Sequence, residues 1–166
     1  MRSIILIIIS LFGLCPALFA GQAKTVYGYL EKLQIGKEKI PLTAKLDTGA
    51  KSASIHAIHI KKYQKSNETW ISFDVPIKGK LLHFEEPLVR HVAIKSRAEE
   101  KKGKAFTERP VVLMPVTMGT QQHTIEVNLA NRKNFLYPFL LGRDGIIRFS
   151  GIIDPARTFT VADTAS

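Results

Sequence analysis

Cysteine is nearly absent from this sequence of 166 residues, which contains only Cys15. That residue lies in an apolar N-terminal segment, and the chain that follows it carries no thiol. Such a chain forms no disulfide, has no thiolate nucleophile and offers no cysteine ligand to a metal. Its stability therefore has to come from a packed core, for which its length is sufficient.

The N-terminal segment has the parts of a secretory signal peptide. Arg2 precedes an almost unbroken apolar run over residues 4–14, and the small residues Ala20 and Ala23 follow. A membrane anchor is the alternative, but the run is shorter than the roughly 20 residues that cross a bilayer. We predict a signal peptide over residues 1–23, cleaved after Ala20 or Ala23. The product would be periplasmic and would retain no integral membrane segment.

Acidic residues are the scarcer charged class, with 14 Asp and Glu against 24 Lys and Arg and a net charge of +10. A basic surface favours anionic partners. Predicted export argues against nucleic acid, because chromosomal DNA is absent from that compartment, whereas anionic envelope polymers are present there. A phosphate loop of the G-x-x-x-x-G-K-[ST] type is also missing, so nothing indicates ATP dependence.

Internal repeats, coiled-coil patterns and domain linkers are missing as well, and most of the chain alternates as β-strands do. The clearest alternation ends at Asp47 and places four apolar residues on one face: Ile40, Leu42, Ala44 and Leu46. Further strands are expected at 25–35, at 54–60, on both sides of turns at 76–79 and 118–120, at 87–96, and on both sides of a short helix at 143–148. The pattern predicts one mainly β domain over residues 24–166, closed like a barrel, with that helix near the C-terminus.

The segment KLDTGAKSAS at residues 45–54 places the tripeptide Asp47-Thr48-Gly49 at the end of a predicted strand. Asp supplies a carboxylate, Thr a hydroxyl that braces the loop, and Gly a backbone N–H close to the carboxylate. Two such loops face to face make two carboxylates share one proton, which allows one to activate water while the other polarises a carbonyl. The chain has one Asp-Thr-Gly, so this chemistry requires a homodimer. Taken alone, the tripeptide also fits an ordinary turn.

Three blocks, in the same order, carry a resemblance to a known family. They are AKLDTGAKSASIHA at 44–57, ERPVV at 108–112 and EVNLANRKNFLYPFLLGRDGIIRFSGIIDP at 126–155. The chain resembles the retropepsin-like aspartic peptidases. It resembles more closely a bacterial family that has been labelled an ATP-dependent zinc protease and that occurs beside glutamate-ligase genes.

The resemblance implies the acid-protease fold and an aspartic endopeptidase that acts on a peptide or protein substrate without metal or cofactor. Asp47 would be catalytic. In retropepsins, two large apolar residues and a glycine lie against the active-site loop, and a short helix follows them. The residues implied to support that loop here are Thr48, Gly49, Ala50, Leu141, Gly142 and Arg143.

One position departs from the viral members of that class. They place an acidic residue directly after Asp-Thr-Gly-Ala, where it pairs with the arginine that follows the late glycine. This chain has Lys51 there. Arg143 is therefore expected to pair with another acid, Asp144 or Asp154.

Two other kinds of function remain open. A zinc peptidase would use the H-x-x-H of His56 and His59, but catalytic zinc histidines lie four apart on a helix around a glutamate. Positions three apart on a strand point to opposite faces. Ser52 and Ser54 are expected to form hydrogen bonds within the Asp47 loop rather than to act as nucleophiles. The second alternative is a non-catalytic envelope-binding domain with the same fold.

Three basic clusters are expected to form a solvated face, although they would favour acidic peptides if they lined the cleft: Lys61-Lys62-Lys65, Lys101-Lys102-Lys104 and Arg132-Lys133. Aspartic peptidases usually cover their substrate with a mobile hairpin. We expect that hairpin at residues 71–84, with the charged loop at 96–107 as the second choice.

Overall fold

The computed structural model describes residues 23–95 and 106–161, which form ten strands and one short helix. The predicted signal peptide up to residue 22 and most of the predicted loop at 96–107 lie outside the described residues. The elements are β1 (Thr25–Ile35), β2 (Ile40–Asp47), β3 (Ala53–His56), β4 (Ile58–Lys65), β5 (Glu68–Ile77), β6 (Lys80–Lys95), β7 (Phe106–Met118), β8 (Gln121–Ala130), β9 (Phe139–Gly142), α1 (Arg143–Arg148) and β10 (Gly151–Thr158).

Six strands close into a ring in the order β1-β2-β9-β3-β8-β7. The ring is completed by antiparallel pairing of β1 with β7, which matches Gln34 with Thr117 and Ile35 with Val116. Strand β10 lies outside β1, while β6, β5 and β4 extend the sheet beyond β7. The prediction of a mainly β, barrel-like fold with one short helix near the C-terminus is confirmed.

Strand β2 shows why the alternating sequence folds this way. Leu42, Ala44 and Leu46 are buried inside the ring, whereas Pro41 and Lys45 are exposed. The buried residues join one core cluster that reaches from β1 to the helix. Because burial of apolar surface drives folding, the alternation of apolar residues fixes which face of β2 points inward. Asp47 follows the last of these buried residues and ends the strand.

Strand β6 corrects one expectation. Residues 87–96 were predicted to form a separate strand, but residues 80–95 form one strand that pairs first with β5 and then with β7. The last pair with β5 involves Pro87, and pairing with β7 starts at Leu88. The proline marks a change of partner instead of the end of a strand. The predicted hairpin turn is present at Lys78 and Gly79, which both have positive φ, as tight hairpin turns require.

The predicted strand at 54–60 is two strands. β3 pairs with β8 and β9 in the ring, whereas β4 pairs with β5. Between them, Ala57 donates its backbone N–H to the Ala130 carbonyl, and at the start of β4 His59 takes a positive φ of 52°. The alternation continues through this point although the chain leaves the ring, so the pattern alone did not show the break.

A buried carboxylate holds the segment after β10. Glu31 in β1 is fully buried. Its Oε1 accepts hydrogen bonds from the Gly28 N–H at 2.7 Å, the Thr160 N–H at 3.0 Å and the Thr160 hydroxyl at 2.6 Å. These contacts tie residue 160 to the first strand, across 129 positions in sequence.

The short helix predicted at residues 143–148 is present as α1, with Gly145 and Ile146 facing the core. Among the residues that the structure describes, no helix is long and apolar enough to cross a membrane.

Candidate active site

Asp47 is the last residue of β2, where it pairs with Gly142 at the end of the parallel strand β9. Its carboxylate is half-buried and accepts a hydrogen bond from the Gly49 N–H at 3.0 Å. The contact expected from the Asp-Thr-Gly chemistry is therefore present. The carboxylate lies in an open cavity of about 820 Å³.

The loop after Asp47 is fixed by backbone hydrogen bonds to the start of α1. Arg143 donates its N–H to the Ala50 carbonyl at 2.8 Å, and Asp144 donates its N–H to the Lys51 carbonyl at 3.0 Å. Within the loop, Ala50 donates to the Asp47 carbonyl at 3.3 Å. These hydrogen bonds join backbone atoms only. The position of the Asp47 carboxylate thus depends little on which side chains the bonded residues carry.

Gly142 is the closest support of this loop. A Cβ atom at this position would lie 2.6 Å from the Ser52 carbonyl oxygen and 2.8 Å from that of Lys51. Behind it, the side chain of Leu141 is fully buried and fills the space beside Gly145. The close approach expected between the glycine and the loop is present, and any larger residue would push the two backbones apart.

The expected acidic partner of Arg143 was wrong. Asp144 forms an ion pair with Lys51 at 2.8 Å, and Asp154 lies beside an arginine of its own strand. Arg143 instead donates from Nη1 to the Thr48 carbonyl at 3.4 Å. The loop and the helix are still joined by an ion pair, but the cation is now on the loop and the acid on the helix.

Thr48 is exposed at the tip of this loop. Within the described part of the chain its hydroxyl has no hydrogen-bond partner, so the bracing contact expected from it is not formed inside one subunit.

The cavity around Asp47 has a basic wall. Lys51, Arg90, Arg109 and Arg132 all line it. Arg90 forms an ion pair with Glu126 at 2.6 Å. The wall therefore brings four cationic side chains to the cavity that holds the Asp47 carboxylate, and two of them, Lys51 and Arg90, are ion-paired.

Arg132 corrects the prediction of a solvated basic face. It is only 7% exposed, whereas its neighbour Lys133 and the predicted cluster Lys61-Lys62-Lys65 are exposed as expected. The pKa of Arg132 is lowered by burial first and by the nearby Arg109 second, while Asp47 acts in the opposite direction. The third cluster, at residues 101–104, lies outside the described residues.

The histidines of the H-x-x-H motif have separate partners. His56 accepts the Arg132 backbone N–H on Nδ1 at 3.0 Å. His59 lies 2.7 Å from Asp74, whose other oxygen is 2.7 Å from His83. These hydrogen bonds, that of His83 first, lower the pKa of Asp74. In residues 23–95 and 106–161 no group of three or more His, Cys, Asp or Glu side chains is arranged to hold a metal ion.

Sequence reasoning missed the polar floor of the cavity. Asn128 is buried and donates from Nδ2 to the Ala53 carbonyl at 2.5 Å and to the Ser52 hydroxyl at 3.3 Å. Ser54 is buried beside it without forming the expected hydrogen bond. One signal was available, because Asn128 interrupts the otherwise apolar run Val127–Ala130 and such a run predicts burial on both faces.

The hairpin expected to cover the substrate is not beside this cavity. None of residues 71–84 lines it, whereas Val92, Ala93 and Ile94 of β6 and Arg109 of β7 do. The first choice was therefore wrong in position, since the β5–β6 turn lies on the far extension of the sheet.

A ring of strands with an Asp-Thr-Gly loop seated against a late glycine and a short helix defines a retropepsin-like protein. Comparison with known families agrees, because residues 26–164 match the RimB-like family, described as retropepsin-like aspartic endopeptidase RimB. The chain belongs to this family. The resemblance drawn from the three sequence blocks is confirmed.

The chain is also similar to individual proteins, among them one of known structure and several named as ligases. A solved structure of a Legionella pneumophila protein of unknown function (DUF785) is 46% identical, with a TM-score of 0.73, and the match covers 83% of this chain and 98% of that one. Probable alpha-L-glutamate ligases from Shewanella pealeana and Desulfotalea psychrophila are 29% and 32% identical over 126 and 139 residues. These matches cover 74% and 81% of this chain but only 26% and 29% of the ligases.

Proposed function

We propose that the protein is a periplasmic aspartic endopeptidase in which two copies of Asp47, one from each subunit of a homodimer, hydrolyse peptide bonds. The observation that carries the proposal is the Asp47 carboxylate, held by the Gly49 N–H at the edge of an open cavity on a loop fixed by the helix backbone. Membership of the retropepsin-like family supports it. Export rests on the sequence of the N-terminal segment alone.

The proposed mechanism follows from bringing two carboxylates together. Like charges in contact cannot both ionise, so the pair holds one proton. The ionised Asp47 takes a proton from a bound water, and the protonated Asp47 of the other subunit donates a hydrogen bond to the substrate carbonyl. Peptide hydrolysis by this route involves neither a covalent intermediate nor a cofactor.

A homodimer is supported because one subunit supplies only one of the two carboxylates that the mechanism requires. The chain has a single Asp-Thr-Gly, and an isologous interface is the arrangement that places a residue against its own copy. The exposed Thr48 next to Asp47 is available for such an interface, since its hydroxyl has no partner in the described part of one subunit.

The basic wall supports an acidic peptide as the substrate. Cations aligned along a cleft raise the local concentration of anionic ligands and speed their association. The relatives named as probable glutamate ligases are consistent with this chemistry, although the chain matches only part of them.

The test compares the purified protein with its Asp47→Asn variant on a mixed peptide library between about pH 4 and pH 7.5, with and without EDTA. Cleavage by the wild type that survives EDTA and is lost in Asp47→Asn is the expected result. Asp154→Asn is the matched control, because it makes the same chemical change outside the cavity. Sedimentation velocity of the same samples reports whether the active species is a dimer.

Other outcomes would overturn the proposal. Cleavage that EDTA abolishes but Asp47→Asn retains would indicate a metallopeptidase. A protein that remains monomeric and cleaves nothing in the library would instead support the non-catalytic binding domain.

A further inference from the structure

Buried polar atoms without partners are concentrated in the Asp47 cavity. Five such side-chain atoms occur among the described residues, and three of them belong to residues that line this cavity: Ser54 Oγ, Asn128 Oδ1 and Arg132 Nε. Folded proteins leave few buried polar atoms unpaired, because each one loses its hydration without a replacement hydrogen bond. Their grouping beside a candidate catalytic carboxylate indicates a wall built to receive a polar ligand.

Arg132 is the charged member of this group. The guanidinium stacks over the ring of Phe135 at 4.3 Å, and the backbone N–H of the same residue is held by His56. No carboxylate in residues 23–95 or 106–161 forms an ion pair with it. By contrast, two other cations of the cavity, Lys51 and Arg90, each have an acidic partner.

Asp47 favours the charge of Arg132 from across the cavity but forms no ion pair with it. A buried cation without an ion-paired carboxylate is unfavourable, since its lost hydration is not fully replaced. Arginine is also always charged and presents a planar fork that fits a carboxylate through two parallel hydrogen bonds. The aromatic ring under Arg132 keeps that fork in one orientation. A ligand carboxylate entering the cavity would supply the direct ion pair that Arg132 does not form within the described residues.

We propose that Arg132 is the specificity-determining residue of the Asp47 cavity and that it binds a carboxylate of the substrate peptide. The proposal deepens the proposed peptidase function and rests on it for the identity of the ligand. The carboxylate has two chemical sources, an Asp or Glu side chain and the C-terminal carboxylate of a peptide. The first corresponds to cleavage within acidic segments, the second to cleavage near a chain end.

The test measures binding rather than hydrolysis, using the protein with Asp47→Asn so that peptides stay intact. Isothermal titration calorimetry compares three peptides of equal length: one with internal Glu residues and an amidated C-terminus, one with Gln in place of Glu and a free C-terminus, and one with Gln and an amidated C-terminus. We expect one of the two carboxylate peptides to bind about 10–100-fold more tightly than the neutral one. The peptide that does so identifies the source.

Adding Arg132→Met should remove this preference, whereas Lys133→Met should keep it. The second change removes the same charge from the adjacent, exposed residue and controls for net charge. Arg132→Lys is a further variant that retains the charge, and it should lose several-fold of the preference because an ammonium lacks the fork. Circular dichroism confirms that each variant is folded.

Two results would overturn the assignment: equal binding of all three peptides by the parent, or an unchanged preference in folded Arg132→Met or Arg132→Lys. The peptidase proposal is tested separately, since carboxylate binding that depends on Arg132 in a protein that hydrolyses nothing would preserve the subsite and reject the enzyme. Peptide hydrolysis combined with carboxylate binding that does not depend on Arg132 would preserve the enzyme and reject the subsite.

Discussion

Replacing Gly142 by alanine should displace the Asp47 loop, and the free-energy cost of this change can be worked out from the structure. Gly142 has an ordinary φ of −80°, so the added methyl group brings no conformational strain. It would, however, lie 2.6 Å from the Ser52 carbonyl oxygen, well inside van der Waals contact. Overpacking of a well-packed site costs about 1–3 kcal/mol, and the upper part of that range applies because backbone atoms cannot rotate away.

Thermal unfolding and peptide cleavage measure the two consequences of Gly142→Ala. A loss of about 2–3 kcal/mol lowers Tm by roughly 6–15 °C for a domain of this size. Protein concentration has to be equal in all samples, since dimer formation makes Tm concentration-dependent. Below the transition, peptide hydrolysis should fall by at least about tenfold, because a shift on the order of 1 Å at a reacting group has effects of this size or larger.

Gly79→Ala separates loss of stability from damage to the site. Gly79 has a φ of +78° and no neighbouring atom within 4 Å of an added Cβ, so alanine there costs about 1–2 kcal/mol through backbone strain alone. It lies in the β5–β6 turn, away from the cavity, and hydrolysis should persist. If Gly142→Ala has the Tm of the wild type, or if both variants lose activity equally, the packing argument fails.

Two further substitutions test the buried carboxylate and the histidine cluster. Glu31→Gln should lower the free energy of unfolding in urea by about 1.5–3 kcal/mol, because a charged acceptor of buried N–H and hydroxyl groups becomes neutral; an unchanged midpoint and slope would contradict this. The pKa of Asp74 is lowered by His83 and His59, so its contribution to stability is present above the unfolded carboxyl pKa of about 3.9 and is lost as the pH falls through the lower folded pKa. The wild type should therefore be more stable than Asp74→Asn near pH 5 and lose that advantage on acidification, and parallel pH profiles of the two proteins would refute this assignment.

The parts of the site that were predictable are those encoded locally. The alternation through Leu42, Ala44 and Leu46 fixes the inward face of β2 and hence the position of Asp47 at its end. The Asp-Thr-Gly spacing likewise fixes the N–H that reaches the carboxylate, since donor and acceptor are two residues apart. Gly142 was identifiable by resemblance, but its reason for being glycine, the carbonyl of Ser52, became visible only in three dimensions.

What was missed depends on contacts between distant strands. Arg132 and Lys133 are neighbours in a basic pair, and nothing in their order shows that one is buried and the other exposed. The difference arises because Arg132 lies two residues beyond the end of β8, where its N–H meets His56 and its guanidinium stacks on Phe135. The partner of Arg143 was missed for a related reason, since exposed ion pairs gain little energy and are decided by which side chains happen to be within reach.

The ion pair between Lys51 and Asp144 contributes less to holding the loop than the backbone does. Both side chains are more than half exposed, at 75% and 55%, so their attraction contributes little to stability. The backbone bonds from Arg143 and Asp144 to Ala50 and Lys51 link the same two segments without depending on side-chain charge. These backbone hydrogen bonds and the missing side chain of Gly142 therefore position the Asp47 loop, and the ion pair is not needed for that geometry.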